Sequence, residues 1–298
     1  MASPLLVTGS AGTIGRPLVA ALQAQGWEVR RFDRRHAVDD GFGDVCRPEA
    51  LRAALHGCQG VIHLAAVSRV AHAEADPARC EAVNAQATRM LAELAGREPG
   101  VRVLLLASSR EVYGQAQHLP VAETCPPAPR NAYGRSKLAA EQAVLAQASE
   151  HLSVGVLRLA NVYGAAIDHA DRLVPAFVAA ALAGRPLQLR GPERIVDLLH
   201  VDDAVRGFLL TLRHLQTGTT LPGPVNLASG VGVTLLDLAQ RVSRLAGSQS
   251  PLETQPAPES DVERYVGDAR LAQAVLGWRA EVALERGLRD VVAAARLA

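Results

Sequence analysis

The sequence predicts an α/β fold: a doubly wound parallel sheet followed by a smaller α/β part in the C-terminal half. Three observations carry this. Short apolar runs alternate with helically spaced segments from Leu5 to Leu159, the pattern of right-handed βαβ units. Gly9, Gly12 and Gly15 mark the first passage from strand to helix. Val101 to Ala107 is so densely apolar that it reads as a strand buried on both faces.

Leu5 to Thr8 is the first strand, and Ile14, Leu18, Val19 and Leu22 then space a helix that stops at Gly26, a left-handed cap position. Glycines at such a bend let a pyrophosphate approach bare N–H groups at the positive end of the helix. The turn Gly9, Gly12, Thr13, Ile14, Gly15 is therefore expected to bind a nucleotide cofactor. Glu28 to Phe32 is the second strand. Asp33 at its end can hold ribose hydroxyls and would repel a 2′-phosphate, which favours NAD over NADP; Arg34 and Arg35 behind it are the residues that could take such a phosphate instead.

A polar loop to Gly43 leads to Asp44-Val45 and to a helix opened by Pro48, with Leu51, Ala54 and Leu55 on its apolar face. Val61 to Ala66 is the third strand, and its small final residues leave room beside a ligand. His63 within it is expected to be a satisfied interior residue rather than a functional one. Asp76-Pro77 opens a long helix to Ala95.

The fourth strand runs into Ser108-Ser109-Arg110-Glu111-Val112-Tyr113-Gly114. Past a loop with Pro120, Pro126, Pro127 and Pro129 lies Asn131-Ala132-Tyr133-Gly134-Arg135-Ser136-Lys137. Tyr133 and Lys137 are i and i+4 on a helix and share one face. A phenol with its ordinary pKa of about 10 is a poor base at neutral pH. The neighbouring ammonium is expected to bring it into range, while Ser109 hydrogen-bonds the same substrate oxygen.

Together these residues resemble the extended short-chain dehydrogenase/reductase family, the branch of sugar-nucleotide epimerases, dehydratases and decarboxylases. The matches run in the family's order from Thr8-Gly9-x-x-Gly12-x-x-Gly15 through His63-Leu64-Ala65-Ala66, Tyr133-x-x-x-Lys137, Arg158-x-x-Asn161-Val162-Tyr163-Gly164 and Val201-Asp202-Asp203 to Leu276-Gly277-Trp278. The resemblance implies a Rossmann sheet with the pyrophosphate on the glycine turn, the adenosine ribose on Asp33 and Arg34, and the adenine on Asp44 and Val45. Ala65, Asn84 and Lys137 would line the nicotinamide side, with Leu64, Ala66 and Ser108 completing the cofactor contacts. Ser109, Tyr133 and Lys137 would be catalytic, and Ser68, Arg110, Asn161 and Arg194 would meet the substrate; no metal is implied.

Glu111 is implied as a further catalytic base beside a carbon acidified by a transient ketone, or else as a structural partner of Arg110 or a loop backbone. The chain departs from relatives in three places. Arg110 stands where dehydratases of the deoxythymidine type have an acidic residue; Val196 stands where UDP-sugar enzymes commonly have Arg; and Pro258-Glu259-Ser260-Asp261 replaces an Arg-x-Gly-Asp. Arg190, Arg194 or Arg264 could take over the phosphate contacts. The implied function is an NAD-dependent enzyme of nucleotide-sugar metabolism that oxidises a ring hydroxyl and then epimerises or dehydrates. The alternative is a 4-ketosugar reductase or a sugar or uronate dehydrogenase with net redox change. A homodimer through the helices following Asp76 and containing Tyr133 is implied as well.

His151 to Leu159 is the fifth strand, and residues 1–160 are read as the cofactor domain. Residues 161–298 are the substrate region, with about 196–228 returning to the first domain. Helices are expected over Leu173 to Ala183, from Val201, over Thr234 to Leu245 and over Leu284 to Leu297, with strands at Leu187 to Leu189 and Pro224 to Leu227. Asp202 and Asp203 are expected to cap their helix, and Ser248 to Ser260 to be an exposed loop.

Composition narrows the classes. Thirty-one basic against thirty acidic residues give a net charge of +1 without a basic tract, so no nucleic-acid or anionic-membrane footprint exists. No apolar run approaches a membrane span and Met1 to Pro4 shows no signal-peptide pattern, so a cytoplasmic protein is expected. Cys46, Cys58, Cys80 and Cys125 lack metal-ligand spacing and are expected to be reduced.

Overall fold

In a computed structural model, residues 3–36, 41–166 and 168–297 are described. Part of the loop expected before Gly43, and Met1 and Ala2 ahead of the first strand, lie outside them. Six parallel strands form the central sheet in the order β2 (Val29–Phe32), β1 (Leu5–Thr8), β3 (Gly60–His63), β4 (Val103–Ser109), β5 (Ser153–Leu159) and β9 (Val225–Leu227). Every residue of β1, β3, β4 and β5 is buried, because helices cover both faces and leave no polar side to the strands.

On one face pack α1 (Gly15–Ala24) and α8 (Val201–Gln216); on the other lie α2 (Pro48–Leu55), α5 (Ala87–Arg97) and α6 (Ala132–Leu145). The long helix expected from Asp76 is interrupted by a π-helical stretch. Pro77–Cys80 is α-helical, Glu81–Gln86 is π-helical, and the chain returns to α at Ala87. Wider winding there changes which way Asn84 faces, and such stretches gather where a side chain has a particular task.

The second half adds two small sheets. β6 (Asn161–Tyr163) pairs parallel to β8 (Ile195–His200), which pairs antiparallel to β10 (Gly232–Thr234). Leu252–Gln255 is a strand running parallel to Leu187–Arg190, so the segment expected as loop is structured at its centre. Three of its four residues are exposed, and an edge strand with so little apolar content gives no period-two signal. A separate apolar core of Val174, Phe177, Leu189, Leu198, Leu238 and Leu288 holds these sheets to the surrounding helices.

The cap of α8 also differs from expectation. His200, not Asp202, occupies the cap position, its ring nitrogen accepting from the Asp202 N–H at 3.3 Å. Asp203 is buried, and its two carboxylate oxygens accept the N–H groups of Glu281 and Val282 at 3.0 and 2.9 Å. Its partners lie late in the chain, beyond the reach of a local capping pattern.

Candidate functional site

At the carboxyl edge of the sheet lies a cavity of about 480 Å³. Its floor is the glycine turn. Gly9 has φ 70°, and a Cβ there would stand 2.6 Å from the Ala65 nitrogen. A Cβ on Gly15 would meet the Gly9 carbonyl oxygen at 2.1 Å, and one on Gly12 at 3.0 Å. The turn is thus closed against itself and bare toward the cavity, with α1 starting directly behind it. Thr13, Ile14, Asp33, Arg34, Asp44, Val45, Leu64, Ala65, Ala66 and Ser68 line the same cavity.

Asp33 is buried, accepting from the Ala11 N–H at 3.0 Å and from the Arg35 N–H at 2.9 Å. Burial alone would raise its pKa, but the bonds from Arg35 and Ala11 outweigh this and hold it below the usual carboxylate range. The Arg35 guanidinium lies 3.1 Å from the Asp33 carboxylate, and Arg34 Nε lies 3.7 Å from Asp44. Both cations behind the strand are therefore engaged by acids, which suits a ribose hydroxyl better than a phosphate.

Two expected cofactor contacts face elsewhere. The Ser108 hydroxyl donates to Glu141, which is also gripped by Arg158 at 2.9 and 2.6 Å. Asn84, almost wholly buried, accepts from the Val67 N–H at 2.8 Å and donates to the Val67 carbonyl and Ser136 Oγ, each at 3.0 Å. Its amide is spent on shaping the loop after β3, and it is Val67 that faces the cavity.

Tyr133 and Lys137 stand one turn apart at the start of α6, whose N-cap Asn131 accepts from the Gly134 N–H. The Lys137 ammonium donates to the Ala107 carbonyl at 2.9 Å, and Ala107 lines the cavity. Burial pushes Lys137 down to about 8. Burial also pushes Tyr133 up to about 12, while the Ser109 hydroxyl and the Arg172 charge pull the other way without prevailing. The ammonium expected beside this phenol is in place, 5.9 Å from the ring centroid, and burial is what opposes its ionisation.

Both oxygens of Glu111 are taken. Oε1 lies 2.7 Å from Arg110 Nη2, and Oε2 accepts from Asn131 Nδ2 at 2.8 Å. Of the two expectations, partnership with Arg110 is the one present. Asn161 Nδ2 donates to the Asp197 carbonyl at 3.3 Å, and Arg194 pairs with Asp261 at 2.7 Å.

Residues 5–228 match the NAD dependent epimerase/dehydratase family. The chain belongs to this family. The UDP-glucose 4-epimerase of Bos taurus is 30% identical, covering 98% of this chain and 96% of that protein. The structure of MoeE5 in complex with UDP-glucuronic acid and NAD superposes with a TM-score of 0.89 at 32% identity, over 99% of both chains. That of DesIV, a dTDP-glucose 4,6-dehydratase from Streptomyces venezuelae with NAD bound, gives 0.90 at 27% identity, over 99% of this chain and 97% of that one. The expected family and fold are thereby met.

In this epimerase/dehydratase a further part of the cavity wall comes from a loop that sequence reasoning passed over. His169 and Arg172, between β6 and α7 (Leu173–Leu182), line it. Thr13 Oγ1 donates to Asp168 at 3.0 Å, Arg172 Nε lies 3.2 Å from the same carboxylate oxygen, and Arg172 Nη2 reaches Ser68 Oγ at 3.3 Å. Asp168, Asp171 and Arg172 read in the sequence as a solvated loop; only folding sets them against a turn more than half the chain away. Among the described residues no helix is long and apolar enough to cross a membrane.

Proposed function

We propose that the protein binds NAD in the cavity above the glycine turn and acts on a nucleotide-linked sugar, oxidising a ring hydroxyl and completing the turnover by epimerisation or elimination. One observation supports this most: Lys137, a turn from Tyr133, is bonded to Ala107 on the wall of the cavity that the bare glycine turn floors. This reading sets the acid–base pair beside the dinucleotide cradle, with Ala107 between them.

The cavity fits the cofactor. The turn admits no Cβ, its bare backbone stands at the positive end of α1 where a diphosphate would sit, and Asp33 offers a charged acceptor to ribose hydroxyls. NAD supplies, when bound, the hydride acceptor and a positively charged ring. Tyr133 then takes the proton from the sugar hydroxyl at Oη and later returns it, and Ser109 steadies the sugar oxygen by hydrogen bonding. Lys137 offsets the charge that Tyr133 carries while deprotonated. Asp33, Asp44 and Val45 hold the adenosine end. Glu111 acts through Arg110 and Asn131 rather than as a free base.

Relatives point the same way in substrate, since MoeE5 is bound with UDP-glucuronic acid and the bovine relative is a UDP-glucose 4-epimerase. The same reading makes the protein a cytoplasmic homodimer paired through α5 and α6, and sedimentation at a monomer mass would remove the dimer. The test of function is incubation of the purified protein with UDP-glucose, UDP-glucuronic acid and dTDP-glucose, following product mass and nicotinamide absorbance. An isomerised or dehydrated product without net nicotinamide reduction is the expected result; a stoichiometric absorbance change identifies the net-redox alternative.

A further inference from the structure

Arg110 directly follows Ser109 and is only 6% exposed. Three of its surroundings are fixed: Nη2 lies 2.7 Å from Glu111, the guanidinium carbon stands 5.5 Å from the centroid of the Tyr265 ring, and Glu111 is held from behind by Asn131. Its second terminal nitrogen, Nη1, is buried and meets no acceptor among the described residues. Within electrostatic range lies Arg194, paired with Asp261, whose Nε is likewise buried without an acceptor.

A buried N–H of a cation left without an acceptor costs about 1–3 kcal/mol or more, so native proteins seldom keep one without use. Here there are two, on guanidiniums within electrostatic range of one another, and one of them directly follows Ser109 in the chain. Glu111 already neutralises Arg110 and Asp261 already neutralises Arg194, so the open donors are not waiting for a protein counter-ion. A sugar hydroxymethyl group brings one oxygen. A carboxylate brings two, and its bonds to guanidinium are charge-assisted and about twice as strong as neutral ones.

We propose that Arg110 selects the sugar, donating Nη1–H to the carboxylate of a nucleotide-linked uronic acid while the Nε–H of Arg194 serves the second oxygen. This rests on the function proposed above and names the substrate class within it. Arg110 places a fixed cation next to the serine, so it discriminates by attraction to an acid rather than by the size of the pocket. Tyr265, stacked at 6.2 Å on Tyr113, keeps the guanidinium plane from turning away.

The test measures kcat and KM of the wild-type protein and of Arg110→Met and Arg110→Lys with UDP-glucuronic acid and UDP-glucose. The wild type is expected to favour the uronate in kcat/KM by at least about tenfold, the worth of one charge-assisted hydrogen bond. Arg110→Met is expected to reduce that preference by about 10–100-fold, chiefly through a higher KM for the uronate, with Arg110→Lys between the two. A role confined to packing would lower both substrates alike, and that result overturns the inference. So does wild-type turnover of UDP-glucose that equals or exceeds that of the uronate, an outcome that needs no variant to fold and leaves the proposed function standing. Turnover of neither sugar overturns both.

Discussion

The Lys137 ammonium stands 5.9 Å from the centroid of the Tyr133 ring and is anchored on the Ala107 carbonyl at 2.9 Å. A cation held this way, with its ordinary pKa brought down to about 8 by burial, loses its charge close to working pH. Above pH 8 the phenolate loses its compensating partner, so kcat/KM is expected to fall as pH rises through about 8. In Lys137→Arg that falling limb should move beyond the measurable range, and in Lys137→Met kcat should drop by about 10²–10⁴ below about pH 8, the gap to the wild type narrowing above it. A pH–rate profile of the three proteins checks it.

Asp33 ties down Arg35 while presenting negative charge to the ribose site. Asp33→Ser removes the repulsion and frees the guanidinium in one step. The ratio of Kd for NADP to Kd for NAD, measured by calorimetry, is expected to fall by at least about tenfold, the scale of one charge-assisted contact. An unchanged ratio would mean that Arg35 cannot reach the 2′ position.

Glu141 accepts from Ser108 and from two nitrogens of Arg158, whose guanidinium also covers the Tyr113 ring at 4.7 Å. All of this is buried. Replacing only the acid, Glu141→Gln, leaves a guanidinium uncompensated in the core and is expected to cost about 3–5 kcal/mol in urea unfolding. Arg158→Met added to it should recover part of that loss.

His63 bridges Thr8 Oγ1 at 2.6 Å and Thr88 Oγ1 at 2.9 Å, and burial, then the charge of Lys137, depresses its pKa from 6.5 to about 3. The sign follows: the folded protein resists protonation that the unfolded chain accepts. Stability from this group is whole above pH 6.5 and is lost as pH falls toward 3. Urea midpoints measured across that window should decline with the slope of one proton more in the wild type than in His63→Asn.

Much of the cofactor half was readable because its signals are local. The glycine turn, the acid ending β2 and the i, i+4 pair of Tyr133 and Lys137 each declare themselves within a few residues. Asn84 and Ser108 misled because sequence order brings them to the right edge of the sheet without fixing their rotation. The π-helical winding and the pull of Glu141 turn them to other partners. Arg172 and Asp168 escaped notice since their meaning lies in contact with Thr13, a partner that no periodicity connects to them. For the phenol, sequence shows the neighbouring ammonium but not the depth of burial that opposes ionisation.

Asp203 takes the N–H groups of Glu281 and Val282, and Trp278 Nε1 donates to its backbone carbonyl at 2.9 Å. One acidic side chain on a helix packed against the central sheet thus stitches down the approach to α11 (Leu284–Leu297). Calorimetry should therefore record a single melting peak, and severing this stitch with Asp203→Asn should loosen the C-terminal helix to proteases below that melting temperature.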